Sequence, residues 1–309
     1  MAKTVSAPKS TSSKPAAKAS GRPAGLFTWV AVGVVVVIVA TLVIVKVVSG
    51  GPTSTNSGVW VATDATTVAQ ITGIPASVYN AVGVSESSAV SPPLSLKGQP
   101  ALSAKLPDGT TVPEVLYVGA EYCPFCAAER WSTIAALSRF GTWTGLGNTE
   151  SSSVDVYANT PSFTFLKAKF TSKYLVFRGI EEYNNVYNSA SNPPYGTLMT
   201  PTKSEQAIFA KYDTSKYINM SASNDGAIPF ISMGNKFLVS GASYNPGLLT
   251  GLTRTQIASN LSATSSPITK AIITSANEQT AAICTLTKQQ PASVCTSPGV
   301  TAAKTLMKI

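Results

Sequence analysis

Val115-Leu116-Tyr117-Val118-Gly119-Ala120-Glu121-Tyr122-Cys123-Pro124-Phe125-Cys126-Ala127-Ala128-Glu129-Arg130-Trp131 is the stretch from which the rest of the chain is read. Val115 to Val118 is wholly apolar, as a buried strand is. Ala127 to Ile134 is rich in helix formers. Between them stand two cysteines two residues apart, and strand, Cys-x-x-Cys, helix is the context in which such a pair does redox work. Across a helix start the two thiols can close a small disulfide with little backbone movement. The helix N-terminus favours negative charge at Cys123, which lowers its pKa and supplies a thiolate. Pro124 falls at the first helical position, where its missing N–H costs nothing.

The chain has 309 residues and a formal charge of +9, unevenly placed. Lys3, Lys9, Lys14, Lys18 and Arg22 precede Leu26 without an anion, and Lys46 closes the next segment. Without those six, 17 cations face 14 anions, a balance of +3. The basic character is thus a topology signal, and no nucleic-acid partner is expected. Histidine is absent, which excludes Ser-His and Cys-His nucleophile pairs and histidine-bound metals. No metal and no cofactor are expected, and glycine-rich phosphate loops are missing. Cys123, Cys126, Cys284 and Cys295 are the only cysteines, an even count that suits disulfides outside the cytoplasm.

Taken in order, residues 1–25 read as a disordered basic tail. Residues 26–48 are apolar apart from Thr28, Thr41 and Lys46 and are long enough to span a bilayer. The cations before them predict a cytoplasmic N-terminus, an uncleaved single-pass anchor in the cell membrane and an extracytoplasmic remainder. Residues 49–58 form a linker. Residues 59–105 make an N-terminal extension with two short helices, broken at Gly73 and Pro75. Pro107-Asp108-Gly109-Thr110 turns the chain into the apolar strand.

In the helix after the cysteines, Ala127, Ile134 and Leu137 share one face, with Trp131 at its edge; Glu129, Ser132 and Arg139 take the other, and Gly141 ends it. Val154-Asp155-Val156-Tyr157-Ala158 alternates and predicts the second core strand. Phe163-Thr164-Phe165 and Tyr174-Leu175-Val176-Phe177 are further strand candidates, before a loop from Asn184 to Gly196. Thr202-Lys203-Ser204-Glu205 is a capping box and predicts a helix to about Tyr212. Ile228-Pro229-Phe230 and Phe237-Leu238-Val239 read as two strands joined by a Gly234-Asn235 hairpin. Thr253 caps a helix to about Leu261, and Ser266-Pro267 starts a last long one to about Gln279.

This order resembles the thioredoxin fold. Ala120-Glu121-Tyr122-Cys123 is similar to the approach to that superfamily's active site, and Cys123-Pro124-Phe125-Cys126 to glutaredoxin and DsbA-type pairs. Pro229 matches its cis-proline, preceded by Ile228, and Gly241-Ala242 the end of its last strand. The resemblance implies an α/β, thioredoxin-like domain over 106–265, with an insertion at about 159–225 between the second core strand and the cis-Pro strand. One transmembrane helix precedes it, and a C-terminal helix and disulfide loop occupy 266–309. A closer resemblance is to a prokaryotic membrane-anchored family known only as a domain of unknown function (number 929). It rests on the Tyr117–Trp131 stretch, Ala136 to Gly141, Gly241-Ala242-Ser243-Tyr244 and the Cys284…Cys295 tail. Where thioredoxin carries a buried acid, six residues before its first cysteine, this chain has Tyr117. Glu121 and Glu129 are the candidates to take over that proton.

The implied roles are Cys123 as nucleophile and Cys126 as resolving thiol, supported by Pro124, Phe125, Ile228, Pro229, Tyr117 and Glu121. Against them stand a permanent disulfide and half of a metal site. Cys284 and Cys295 are expected to form a structural disulfide; a second redox pair and a four-cysteine zinc site are the other readings. Trp131, Phe140 and the aromatics from 163 to 187 read as core, and lysines and arginines outside the tail as solvated. The expected function is thiol–disulfide exchange on exported protein thiols or disulfides, in the oxidase or isomerase direction, with a membrane quinone-linked partner for re-oxidation. The alternative is a non-catalytic, membrane-tethered binding module with a static Cys123–Cys126 disulfide.

Overall fold

A strand of consecutive apolar residues has no face to give to water and needs cover on both sides. In the computed structural model, which describes residues 59–85, 90–218 and 220–309, Val115–Val118 receives it. The described residues form a mixed α/β structure with eight α-helices and eleven strands. The strands are β1 (Val61–Ala62), β2 (Leu94–Ser95), β3 (Ser103–Lys105), β4 (Thr111–Gly119), β5 (Thr142–Thr144) and β6 (Gly147–Glu150). They continue as β7 (Pro161–Thr164), β8 (Lys169–Thr171), β9 (Val176–Glu181), β10 (Phe230–Met233) and β11 (Phe237–Ser240). The tail at 1–25, the expected membrane span at 26–48 and the linker at 49–58 lie outside the described residues. Within them, no helix is long and apolar enough to cross a membrane.

Strand β4 is the centre of the main sheet. On one edge it pairs antiparallel with β10, Val115 opposite Met233 and Val118 opposite Phe230. On the other it runs parallel to β9, from Glu114 opposite Val176 to Gly119 opposite Glu181. Its first residues also meet β3, while β11 and β2 extend the sheet beyond β10. The side-chain period of two sends Leu116 and Val118 to one face, into a core with Ile180, Tyr212, Phe230 and Leu238. The helix Lys203–Tyr212 covers that face, and both halves of its Thr202–Glu205 capping box are formed. Tyr117 points to the other face, toward the helix Pro124–Leu137 that follows β4.

That second helix is enclosed. Trp131 Nε1 donates to Pro161 O at 3.0 Å and Ser162 Oγ to Ala127 O at 2.7 Å, which fixes β7 along it. The long helix Pro267–Leu286 lies on its remaining side. The helices Ala65–Thr72 and Ala76–Val82 complete the cover, with Tyr79 Oη donating to Ala135 O at 2.9 Å. Arg139 then ties the layers together: it donates to Asn277 Oδ1 and Ser297 Oγ, both at 3.0 Å, and lies over the Tyr79 ring.

Four expectations are corrected. Val154 to Ala158 is not a strand but a turn, because Asp155 N and Asn159 N both close back on Ser152 O and Val156 N takes Asp155 Oδ1. Its alternating valines are exposed, at 60% and 72%. The parallel neighbour of β4 is instead β9, so the 159–225 segment expected as an insertion supplies a core strand. The cysteine helix ends at Leu137, before Gly141, and its polar face is buried: Glu129, Arg130 and Ser132 are 0% exposed. The long C-terminal helix runs on to Leu286 instead of stopping near Gln279, since Ala281, Ala282, Ile283 and Cys284 are still core.

Cys284 and Cys295 are disulfide-bonded, with a sequence separation of 11. This removes them from any shared metal site with the first pair. Leu286, two residues past Cys284, covers Gly234 at one end of β10, whereas Cys123 faces Ile228 beyond the other end. The two cysteine pairs are therefore separated by the length of β10 and cannot exchange directly. A Cys284→Ser/Cys295→Ser chain is expected to lose about 3 kcal/mol of unfolding free energy, from loop entropy. Urea titration checks this, and an unchanged midpoint would show that the tie adds no stability.

Candidate active site

Helix Pro124–Leu137 begins where β4 ends, so its first residues sit at the carboxyl edge of the central strand. Cys123 is the N-cap, in extended backbone, and its sulfur accepts from Cys126 N at 3.3 Å. That contact replaces the oxygen of an ordinary cap and directs an otherwise unpaired helix amide at the sulfur. From the opposite side, the Cys123 thiol donates to Ile228 O at 3.6 Å. The Ile228–Pro229 bond is cis, and β10 starts directly after it. The structure thus brings together Cys123, Pro124, Cys126, Ile228 and Pro229, all expected at the site.

The two sulfurs differ. Cys123 keeps 5% exposure and Cys126 none. Burial pushes the Cys123 thiol up, but the hydrogen bonds from Cys126, the Arg130 charge and the Phe125 amide outweigh it, leaving the thiol below its ordinary 9.0. Burial pushes Cys126 well above the ordinary range, and its hydrogen bond to Cys123 and the charge there push it further. An outer thiol that ionises more readily than usual, with an inner one that holds its proton, is the arrangement a nucleophile and its resolving partner need.

The supporting residues are placed as follows. Phe125 is 38% exposed and meets the edge of Tyr157, with ring centroids 6.0 Å apart. Tyr117 is fully buried, edge-on to Phe165, and its hydroxyl has no partner among the described residues; a Cβ at position 119 would collide with it, which requires Gly119. Glu121 lines a cavity of about 20 Å³ with Trp60, Asn148, Thr149 and Asn185. Burial pushes its carboxyl up to about 7, against hydrogen bonds from Thr164 and Thr149. Glu129 is committed elsewhere: it accepts from Ser243 N at 2.7 Å, Ser243 Oγ at 3.1 Å and Gln279 Nε2 at 2.7 Å. With Tyr244 Oη donating to Ala128 O, these bonds hold the 241–244 turn against the cysteine helix.

Two residues at the site were not picked out from the sequence. Arg130, expected as a solvated charge, is buried and pairs with Glu181 at the end of β9 through Nε–Oε1 at 2.8 Å and Nη2–Oε2 at 2.5 Å. The available signal is spacing: four residues after Cys126, Arg130 stands on the same helical face. The aromatics read as core also divide. Trp131, Phe140, Phe163 and Phe165 are buried, whereas Tyr187 is 45% exposed and meets the edge of Tyr195, which in turn stacks on Tyr122 at 4.3 Å.

Because the folded pKa of Cys123 lies below the unfolded one, its thiolate contributes stability above the unfolded value, lost as pH falls through the folded value. Iodoacetamide alkylation of the reduced full-length chain is expected to follow a pH profile with its midpoint below 9.0, and to vanish in Cys123→Ser. A midpoint at or above that value would remove the case for a thiolate.

The family model described as Domain of unknown function (DUF929) matches residues 106–285, from just before β4 to the end of the long C-terminal helix. Neither the curated proteins nor the solved structures contain a match to this chain.

Proposed function

This chain belongs to the DUF929 family, and because that description names no chemistry, we propose the function from the site: thiol–disulfide exchange by Cys123 and Cys126. The observation that carries it is the Cys123 sulfur, held between the Cys126 amide at 3.3 Å and the Ile228 carbonyl of a cis Ile228–Pro229 bond. The order of central strand, cysteine helix, parallel strand, cis-proline strand and hairpin partner supports a thioredoxin-like fold.

In the oxidising direction, a substrate thiolate attacks the Cys123 sulfur of the oxidised pair, and Cys126 leaves as a thiolate that takes a proton. A second substrate thiolate then displaces Cys123, which departs as the stable thiolate of the pair. Two electrons pass from the substrate sulfurs to Cys123 and Cys126. The substrates in this reading are exported protein thiols. A membrane quinone-linked partner returns the pair to the disulfide, and residues 26–48 anchor the chain with its C-terminal part outside the cell. The run of apolar residues behind five cations and the Cys284–Cys295 disulfide support that placement.

In Cys126→Ser, mixed disulfides are expected to accumulate on Cys123 when the full-length chain meets reduced and oxidised model proteins, visible on non-reducing gels. Equilibration of the wild-type pair with glutathione is expected to give a potential above about −300 mV, the range below which structural disulfides lie. A potential at or below it, with no mixed disulfide, would select the tethered binding module with a static bond.

A further inference from the structure

Two buried donors whose groups act electrostatically with the thiols have no hydrogen-bond partner among the described residues. Arg130 follows Cys126 by four residues, and its side chain leans back toward the helix N-terminus, as helical side chains do. Its Nη2 donates to Ala120 O at 2.8 Å, the same oxygen that accepts from Cys123 N at 3.3 Å. The guanidinium is therefore two hydrogen bonds from the Cys123 backbone. Its Nη1 is buried and has no partner among the described residues, and neither has the Tyr117 hydroxyl, over whose ring the guanidinium lies at 5.8 Å. Other buried hydroxyl and indole donors also lack partners among the described residues, Ser132 Oγ and Thr133 Oγ1 on the same helix included, but Arg130 Nη1 is the cationic one and asks for an explanation. With the Tyr117 hydroxyl, it describes a site prepared for negative charge.

Glu181 holds that cation in place. Its carboxylate takes Nε and Nη2 and also accepts from Phe165 N at 3.2 Å. Among the other titratable groups, Tyr117 from β4 and Tyr122 before the helix feel the charge of both thiols, and Glu182 after β9 acts on Tyr122. All of these are acids; Arg130 is the cation whose charge acts on both sulfurs.

We propose that Arg130, oriented by Glu181, is a positioning residue that stabilises the thiolate of the reduced pair and so makes its disulfide an electron acceptor. This rests on the exchange reading above. Reduction of the pair by a substrate dithiol forms the substrate disulfide and breaks the Cys123–Cys126 bond. One of the two protons released goes to Cys126, and the other leaves to solvent because Cys123 remains a thiolate. Stabilising that thiolate stabilises the reduced side of the couple, which raises the potential.

The test is the alkylation profile of the full-length chain, run on three variants beside the wild type. Arg130→Gln leaves Glu181 unopposed, so the Cys123 midpoint is expected to rise by about one pH unit, about tenfold less thiolate below it. Glu181→Gln keeps the acceptor for Phe165 N but frees the Arg130 charge, and the midpoint is expected to fall by a similar step. Arg130→Gln/Glu181→Gln, neutral on both sides, is the variant to use if the first does not fold; its midpoint is expected between the two. Glutathione equilibria should follow, with Glu181→Gln the more oxidising chain and Arg130→Gln the less. Midpoints that stay in place, or move the same way in both single variants, overturn the assignment even if Cys126→Ser still traps mixed disulfides. Midpoints that move as expected without any trapping overturn the exchange reading, and with it the redox half of this proposal.

Discussion

A buried helix that carries charged and polar side chains needs partners for most of them, and Pro124–Leu137 carries several. All but Phe125 of its residues are buried, including Glu129 and Arg130. Four of its polar groups each draw in a different piece of the chain, whereas the Ser132 and Thr133 hydroxyls have no partner among the described residues. Arg130 takes the end of β9, Glu129 takes the turn at 243 and the long C-terminal helix, Trp131 takes β7, and the Ala135 carbonyl takes Tyr79. The surrounding elements are thus placed by obligations of this helix, and the cysteines ride at its open end. An unsatisfied buried group costs about 1–3 kcal/mol, so these contacts restrict the alternatives more than they add stability.

The Arg130–Glu181 pair is the extreme case. Removing one partner of a buried pair costs about 3–5 kcal/mol, yet replacing both by well-packed apolar residues is often neutral. Stability therefore gives no reason for the pair to be ionic. The surroundings point the same way, since Nη1 and the Tyr117 hydroxyl remain without partners among the described residues. A purely structural pair has no use for spare donors, whereas a site that gains and loses charge at sulfur does.

Much of this frame was legible in the residues. Val115–Val118, the helix start at Pro124, the Gly234-Asn235 turn with both φ values positive, and the capping boxes at Thr202 and Thr253 each follow from local chemistry. Long-range features were less accessible. Val154 to Ala158 alternates like a strand, but Asp155 offers its side chain to the next amide and the segment folds onto Ser152. Strand β9 carries Arg178 and Gly179 amid its apolar residues, so no run or alternation marks it as the partner of β4. The pairing of Arg130 with Glu181 spans 51 residues and depends on that strand register, which nothing local encodes. Cys123 was found because a helix start after a Cys-x-x-Cys pair has a local signature, and Pro229 only through the resemblance to the thioredoxin fold; Arg130 has a signal only in its four-residue distance from Cys126.

The same electrostatics bears on direction, within the proposed chemistry. At position 117 a carboxylate would compete with a thiolate for the interior and help take a proton from the second cysteine. Tyrosine does neither: burial pushes its phenol well above its ordinary range, so it stays a neutral donor. Exchanging an acid for a neutral donor, with an arginine one helical turn below Cys126, shifts the interior toward tolerating negative sulfur. Glu121, whose carboxyl burial pushes up to about 7, lies beside a small polar cavity with Trp60, Asn148 and Asn185. Such an interior favours the reduced pair once formed, which is the thermodynamic requirement of an oxidant and not of a reductant.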